Sequence, residues 1–74
     1  MKASEVIDII DRQPFIPFDV RTSDGRVYRI DHPEFVMRSR DGNTLYLQTD
    51  DDRNVRLDSH HIVAIEDANA PARA

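Results

Sequence analysis

The chain has 74 residues, of which 39% are hydrophobic and 32% are charged, and its formal net charge at pH 7 is −4. This length accommodates one domain, the apolar content is too high for a disordered chain, and the acidic balance argues against non-specific binding to nucleic acid or to an anionic membrane surface. The chain has no cysteine, which excludes disulfides and thiolate zinc sites, and we expect no metal and no other cofactor. No apolar run approaches the roughly 20 residues of a membrane span and no leader-like segment is evident, so we expect a cytoplasmic protein without a membrane partner.

A short helix is predicted near the start of the chain. One apolar stripe has helical spacing, at Ala3, Val6, Ile7 and Ile10. Ser4 is expected to cap this helix, which would run through Arg12 before Pro14 breaks the helical backbone. Phe15 and Phe18 then lie in an extended connector, and we expect both rings to fasten the helix to a β-structure.

Six short β-rich runs follow, at residues 18–22, 26–30, 35–39, 44–49, 55–58 and 62–66. Short strands at regular spacing with turn residues between them indicate a mainly β fold, a small antiparallel barrel. We expect residues 26–39 to form one long strand bent at His32-Pro33, which gives about five strands in all. The segment 58–61 is too short for a hairpin loop and predicts a single 3₁₀ turn. The predicted domain is therefore residues 1–66, and residues 67–74 are expected to form a flexible tail.

The register of the first hairpin follows from which side chains require burial. A two-residue turn at 24–25 would mix apolar and charged side chains on both faces of the hairpin. A three-residue loop over 23–25 instead pairs Val20 with Tyr28 and Phe18 with Ile30. That loop requires a left-handed residue at its last position, where Gly25 has no steric cost.

Several short motifs resemble a pattern shared by a group of short, uncharacterised bacterial proteins. They are Pro14-Phe15, Pro17-Phe18, Asp24-Gly25-Arg26, His32-Pro33-Glu34-Phe35, and His61-Ile62 leading to Ile65-Glu66. The order of helix, bent strands, 3₁₀ turn and last strand is also similar to that of SH3-type and Sm-like small barrels. In bacterial Sm-like RNA chaperones a Lys-His step before the last strand helps to line the RNA pore, and Ser59-His60 occupies that place here. The lysine is missing, so the resemblance supports the fold more than the function.

Four groups of side chains could carry chemistry or binding, and for each we favour a structural interpretation. His60 and His61 are adjacent, so on a strand they point to opposite faces and chelate one metal poorly. His32 and Glu34 have no nucleophile beside them and are expected to hydrogen-bond backbone groups at the bend. The acidic run 50–52 lacks the alternating ligands of a calcium loop and is expected to be a solvated hairpin tip. Tyr46 and the other aromatic residues could stack on bases, but so small a core is expected to use most of them.

The function that we favour is a non-catalytic binding or assembly module that forms a homo-oligomer. The last strand is apolar at four consecutive positions, so both of its faces require burial, and Val55 and Leu57 lie on a plausible partner edge from a second subunit. The expected contact residues are Val55, Leu57, Ile62, Val63, Ala64 and Ile65. The alternative is an Sm-like ring that binds single-stranded RNA through Arg38, Arg40, Asn43 and His60. Arginines that converge would favour RNA, whereas arginines that are dispersed and paired with acids would favour contact with protein.

Overall fold

In a computed structural model that describes residues 1–68, one helix precedes six strands. The helix α1 spans Ala3–Ile10, and the strands are β1 Phe18–Thr22, β2 Val27–Ile30, β3 Val36–Arg38, β4 Thr44–Gln48, β5 Asn54–Asp58 and β6 Ile62–Asp67. The strands form two three-stranded antiparallel sheets, sheet 1 with the order β2-β1-β6 and sheet 2 with the order β3-β4-β5. The prediction of a mainly β, antiparallel fold with one short N-terminal helix is confirmed.

The helix begins and ends earlier in the chain than the sequence predicts. Its N-cap is Lys2, whose backbone N–H donates to Oε1 of Glu5 at 3.2 Å, so Ser4 lies within the first turn and does not cap it. The helix ends at Ile10, two residues before the predicted end, where the N–H of Asp11 donates to the carbonyl of Ile7 and closes the last turn. Among the described residues, no helix has both the length and the apolar character needed to cross a membrane.

The first hairpin has the predicted register. Phe18 pairs with Ile30 and Val20 pairs with Tyr28, as burial of the apolar face requires. The loop holds three residues, and Gly25 ends it with a φ of 87°. Its N–H donates to the carbonyl of Thr22 at 3.0 Å, which closes the turn.

All three hairpin loops use the same hydrogen-bonding device. A hydroxyl residue lies at the end of the incoming strand or directly after it, and its hydroxyl donates to an aspartate two residues later, in the pairs Thr22–Asp24, Ser39–Asp41 and Thr49–Asp51. The residue after each aspartate has a positive φ, at Gly25, Gly42 and Asp52. Because the aspartate satisfies loop donors locally, it fixes the turn without any contact to the core. These bonds lower the pKa of each carboxyl: the Thr22 hydroxyl acts on Asp24, the Thr49 hydroxyl on Asp51, and the Asn43 backbone N–H, followed by the Ser39 hydroxyl, on Asp41.

Two 3₁₀ turns carry the chain between the sheets. The first, Pro33–Phe35, separates β2 from β3, so the single bent strand expected over residues 26–39 is wrong in detail. Pro33 has no N–H for a strand ladder, and the N–H of Phe35 instead donates to the carbonyl of His32 at 3.2 Å. The second turn, Ser59–His61, is the predicted one and returns the chain from sheet 2 to sheet 1.

The core lies where the helix and the inner faces of both sheets meet. Its fully buried members are Val6, Phe18, Val20, Ile30, Leu45, Leu47 and Ile62. Phe15 packs against this cluster with its ring centroid 5.8 Å from that of Phe18, which is the fastening role expected for the two aromatic residues. Alternation along each strand then leaves the opposite faces of the sheets to solvent.

The domain extends beyond the predicted boundary at residue 66. Asp67 pairs with Phe18 at the end of β6, and its carboxylate lies 2.7 Å from the guanidinium of Arg12. The N–H of Ala68 donates to the carbonyl of Pro17 at 2.9 Å. These contacts tie residues 67 and 68 to the sheet, and the rest of the predicted flexible tail, residues 69–74, lies outside the described residues.

Candidate binding surfaces

The two strands predicted to mediate self-association both lie at sheet edges. In sheet 1, β6 pairs with β1 and ends the sheet, and in sheet 2, β5 pairs with β4 and ends that sheet. Val55 and Leu57 of β5 pair with Leu47 and Leu45, so their side chains face the core and are half-buried. On β5 it is therefore the backbone edge, more than these two side chains, that a partner could contact.

The apolar run of β6 is divided between the core and the surface. Ile62 is fully buried within its own chain, and Ile65 packs against the core, so neither offers a fully open surface to a partner. The β1–β6 register shifts at Thr22, which leaves Val63 as an extra residue in a bulge, with 57% of its surface exposed. Val63, with the half-buried Ala64 beside it, is the outward part of the predicted contact set.

Three of the four residues of the RNA alternative, all except Arg40, have other partners within the chain. The guanidinium of Arg38 lies 2.7 Å from the carboxylate of Asp11 and also donates to the carbonyls of Ser39 and Arg40. It thereby joins β3 to the end of the helix, and its hydrogen bond lowers the pKa of Asp11. The side chain of Arg38 therefore has a structural role here, because all three nitrogens of its guanidinium donate to acceptors within the chain.

Asn43 and His60, the other two residues of the RNA alternative with partners in the chain, lie at the 3₁₀ turn 59–61. The carbonyl of Asn43 accepts the N–H of the buried Ser59 at 2.8 Å, which holds the turn against the β3–β4 loop. His60 is exposed, and its ring Nδ1 lies 3.0 Å from Asp58. The backbone N–H of His60 also donates to Asp58 and is the main cause of the lowered pKa of that carboxyl.

Most arginines in the described chain are paired with acids and dispersed over the surface. The ion pairs are Arg12–Asp67, Arg21–Glu66, Arg26–Asp24, Arg29–Asp19, Arg38–Asp11 and Arg53–Asp51, with separations from 2.6 to 3.4 Å. Within residues 1–68, only Arg40 and Arg56 have no carboxylate partner. Dispersed and neutralised arginines present little continuous positive potential to a phosphate backbone.

The outer face of sheet 2 carries an exposed row that the sequence reasoning missed. Tyr46 pairs with Met37 on one side and with Arg56 on the other, so these three side chains, here called the outer row, stand side by side across the sheet. Met37 is 65% exposed and Tyr46 is 43% exposed, so Tyr46 is the exception to the expectation, which Phe15, Phe18 and Tyr28 follow, that the core takes most aromatic side chains. The available signal was the alternation in β4, since Leu45 and Leu47 occupy the inner positions and direct Tyr46 outward.

The remaining polar groups form local contacts. The ring of His32 packs edge-on against Phe35 with centroids 5.8 Å apart, in place of the expected hydrogen bond to the backbone. Asp51 accepts from the hydroxyl of Thr49 and pairs with Arg53, so the acidic hairpin tip is partly structural as well as exposed. Nδ1 of His61 lies 3.4 Å from the hydroxyl of Ser23. No three histidine, aspartate or glutamate side chains among residues 1–68 converge in a way that could hold a metal ion.

Two exposed surfaces thus carry groups that could bind a partner. One consists of the edges of β5 and β6 with Val63, where the Met1 ammonium already donates to the carbonyl of Ile62 at 2.8 Å, and the other is the outer row on sheet 2. Edges offer backbone hydrogen bonds, and the row offers apolar area and a guanidinium. No protein-family model, curated protein or solved structure matches the chain.

Proposed function

We propose that the protein is a non-catalytic binding or assembly module that self-associates through the edges of β5 and β6. A strand at a sheet edge presents a row of unpaired N–H and C=O groups, and a strand from a second copy satisfies them by adding to the sheet. The observation that carries the proposal is that β5 and β6 both end their sheets while Val63, on β6, stands exposed next to Ile62, the residue whose carbonyl accepts from the Met1 ammonium.

In this proposal the six strands form a small SH3-like or Sm-like barrel. Support comes from the connections, because β6 returns to β1 after a 3₁₀ turn and β2 continues into β3 through another. Counting β2 and β3 as one interrupted strand gives the five strands of such a barrel. The strands before and after the second 3₁₀ turn are then its two open edges, and they are the same β5 and β6.

The composition of β6 permits pairing with a strand from a second copy, because the residues that usually block such pairing are missing from most of the strand. Natural sheet edges are commonly guarded by lysine, proline or an inward charge. The strand Ile62–Asp67 contains neither lysine nor proline, and its charged residues lie only at its far end. A chain of this size without disulfides also has a small core, so apolar area covered by a second copy adds stability that the single chain lacks.

The test is the oligomeric state of Val63→Lys, measured by sedimentation velocity at about 100 µM, a concentration that populates complexes with micromolar dissociation constants. We expect the wild-type chain to sediment as an oligomer and Val63→Lys to shift toward smaller species. Val27→Lys is the matched control, because Val27 is 50% exposed on β2, at the opposite edge of the same sheet. It should sediment as the wild type does.

Two results would contradict self-association through this edge. A wild-type chain that is monomeric at this concentration would remove the proposal altogether. Equal dissociation by Val63→Lys and Val27→Lys would show that added charge acts on the whole sheet.

A parallel titration with oligouridylate addresses the RNA alternative, for which we expect no complex tighter than about 10 µM at physiological salt.

A further inference from the structure

The outer row borders a depression with an apolar floor and polar margins. The depression has a volume of about 420 Å³, which is within the roughly 300–1,000 Å³ typical of ligand sites. Phe35 and Met37 line it on the β3 side, and Tyr46 lies at its centre on β4. The amide side chains of Gln48 and Asn54, which pair across β4 and β5, stand at its margin. Exposed apolar side chains in a concave setting mark a contact surface more often than a solvated one.

Arg56 supplies the charge at the β5 side of this depression. It differs from most arginines of the chain because no carboxylate within residues 1–68 pairs with it. Arg56 is exposed, and its planar guanidinium can form two parallel charge-assisted hydrogen bonds with an incoming carboxylate. Arg40, the other arginine within residues 1–68 without a carboxylate partner, lies in the β3–β4 loop and does not line the depression.

We infer that the outer row is a docking site for an extended peptide that presents a carboxylate two or three residues from a large apolar side chain. Arg56 binds the carboxylate, and Met37 and Tyr46 cover the apolar side chain. The spacing follows from the sheet: β3 and β5 are two strand separations apart, about 10 Å. Side chains two or three residues apart on an extended peptide are separated by about 7–10 Å, which matches this width.

The charges of the surface favour a peptide over a nucleic acid. Glu34 lines the same depression, and the chain carries a net charge of −4. One guanidinium compensates for one carboxylate, but a strand of successive phosphates requires several cations along its path. The site uses the outward face of sheet 2, whereas self-association uses backbone edges, although the two share β5, the strand that carries Arg56.

The experiment selects binders from a random heptapeptide phage-display library on the full chain and then measures the affinity of the best peptide by fluorescence anisotropy. We expect the selected peptides to share an aspartate or glutamate two or three residues from an aromatic or large aliphatic residue. Arg56→Gln should weaken binding about tenfold, as should replacing the acid of the peptide by its amide, because each removes a charge-assisted hydrogen bond. Tyr46→Ala should weaken binding to a similar extent through lost apolar contact.

Matched controls separate this site from general effects of charge and from self-association. Arg40→Gln removes the other unpaired guanidinium and should change the affinity less than about twofold. Val63→Lys should change the oligomeric state and leave the affinity for the peptide unaltered. The inference is overturned if no peptide is selected, if the selected peptides lack an acid, or if binding is indifferent to Arg56→Gln in variants whose thermal melting is unchanged. Displacement of the peptide by oligouridylate at micromolar concentration would also overturn it, in favour of a nucleic-acid site.

Discussion

Gly42→Ala should destabilise the protein much more than Gly25→Ala, although both residues directly follow the aspartate of a hairpin loop and have a positive φ. Gly42 has a φ of 77° and Gly25 a φ of 87°, so an alanine at either position must adopt a left-handed backbone. That conformation costs a residue with a Cβ about 1–2 kcal/mol. A Cβ at position 25 would meet nothing within 4 Å, whereas at position 42 it would lie 2.7 Å from the carbonyl oxygen of Ala3 and 2.7 Å from Cγ1 of Ile7.

The additional loss arises because Gly42 is the point where the β3–β4 loop packs against α1. The carbonyl oxygen of Ala3 belongs to the helix backbone, so the overlap cannot be relieved by a side-chain rotation alone. Overpacking of this kind costs about 1–3 kcal/mol. We therefore expect Gly25→Ala to lower the free energy of unfolding by about 1–2 kcal/mol and Gly42→Ala to lower it by about 2–5 kcal/mol.

Urea denaturation followed by circular dichroism measures both losses, and thermal melting gives a second estimate at about 4–8 °C per kcal/mol for a domain of this size. Ile7→Ala in the Gly42→Ala background should restore part of the loss, because it removes Cγ1 and Cδ1 of the isoleucine but not the carbonyl of Ala3. Equal losses for Gly25→Ala and Gly42→Ala would refute the reasoning, since they would mean that the helix moves away from the loop at no cost.

Three further outcomes follow from the loops and the ion pairs. Asp52→Gly should stabilise the protein by up to about 1 kcal/mol in urea denaturation, because Asp52 has a φ of 65°, which glycine adopts without steric cost; a loss of stability would contradict this. Stability should fall as the pH falls below about 4 and change little above it. The folded-state pKa values of Asp24, Asp41 and Asp51 are lowered from an ordinary 3.8, so these carboxyls stabilise the fold only while they are ionised. An acid titration monitored by circular dichroism checks the sign. Arg38→Gln should lower the melting temperature, and Asp11→Asn should lower it little further in that background, whereas additive losses would show that the 2.7 Å ion pair contributes nothing.

Local patterns in the sequence were sufficient for several elements of the fold. The pairing of Val20 with Tyr28 and the left-handed Gly25 followed from one requirement, burial of alternate apolar residues on a short hairpin. The 3₁₀ turn at 59–61 followed from the shortness of its segment. These features depend on residues close together in the chain, so they can be predicted without knowledge of the distant contacts.

The candidate sites were less predictable because they depend on which distant residues meet. The alternative function assigned Arg38 to RNA contact, but Asp11, 27 residues earlier, lies beside it and binds its guanidinium. Four consecutive residues of β6 are apolar, and the bulge opposite Thr22 places both Ile62 and Ile65 toward the core, which strict alternation would not. A bulge depends on how two strands pair, which neither strand specifies alone.

The sequence by itself determined the class of fold, the order of helix and strands, the first hairpin and the acidic, cysteine-free surface, because composition and periodicity act locally. The tertiary structure decided that β2 and β3 belong to different sheets, that β6 continues to Asp67, and that the outer row gathers on one face. It also placed Gly42 against α1, a contact that the residues around Gly42 in the sequence do not predict. The physical reason is that a side chain's exposure is set by what packs over it, and in so small a domain most of that cover comes from strands and loops distant in the chain.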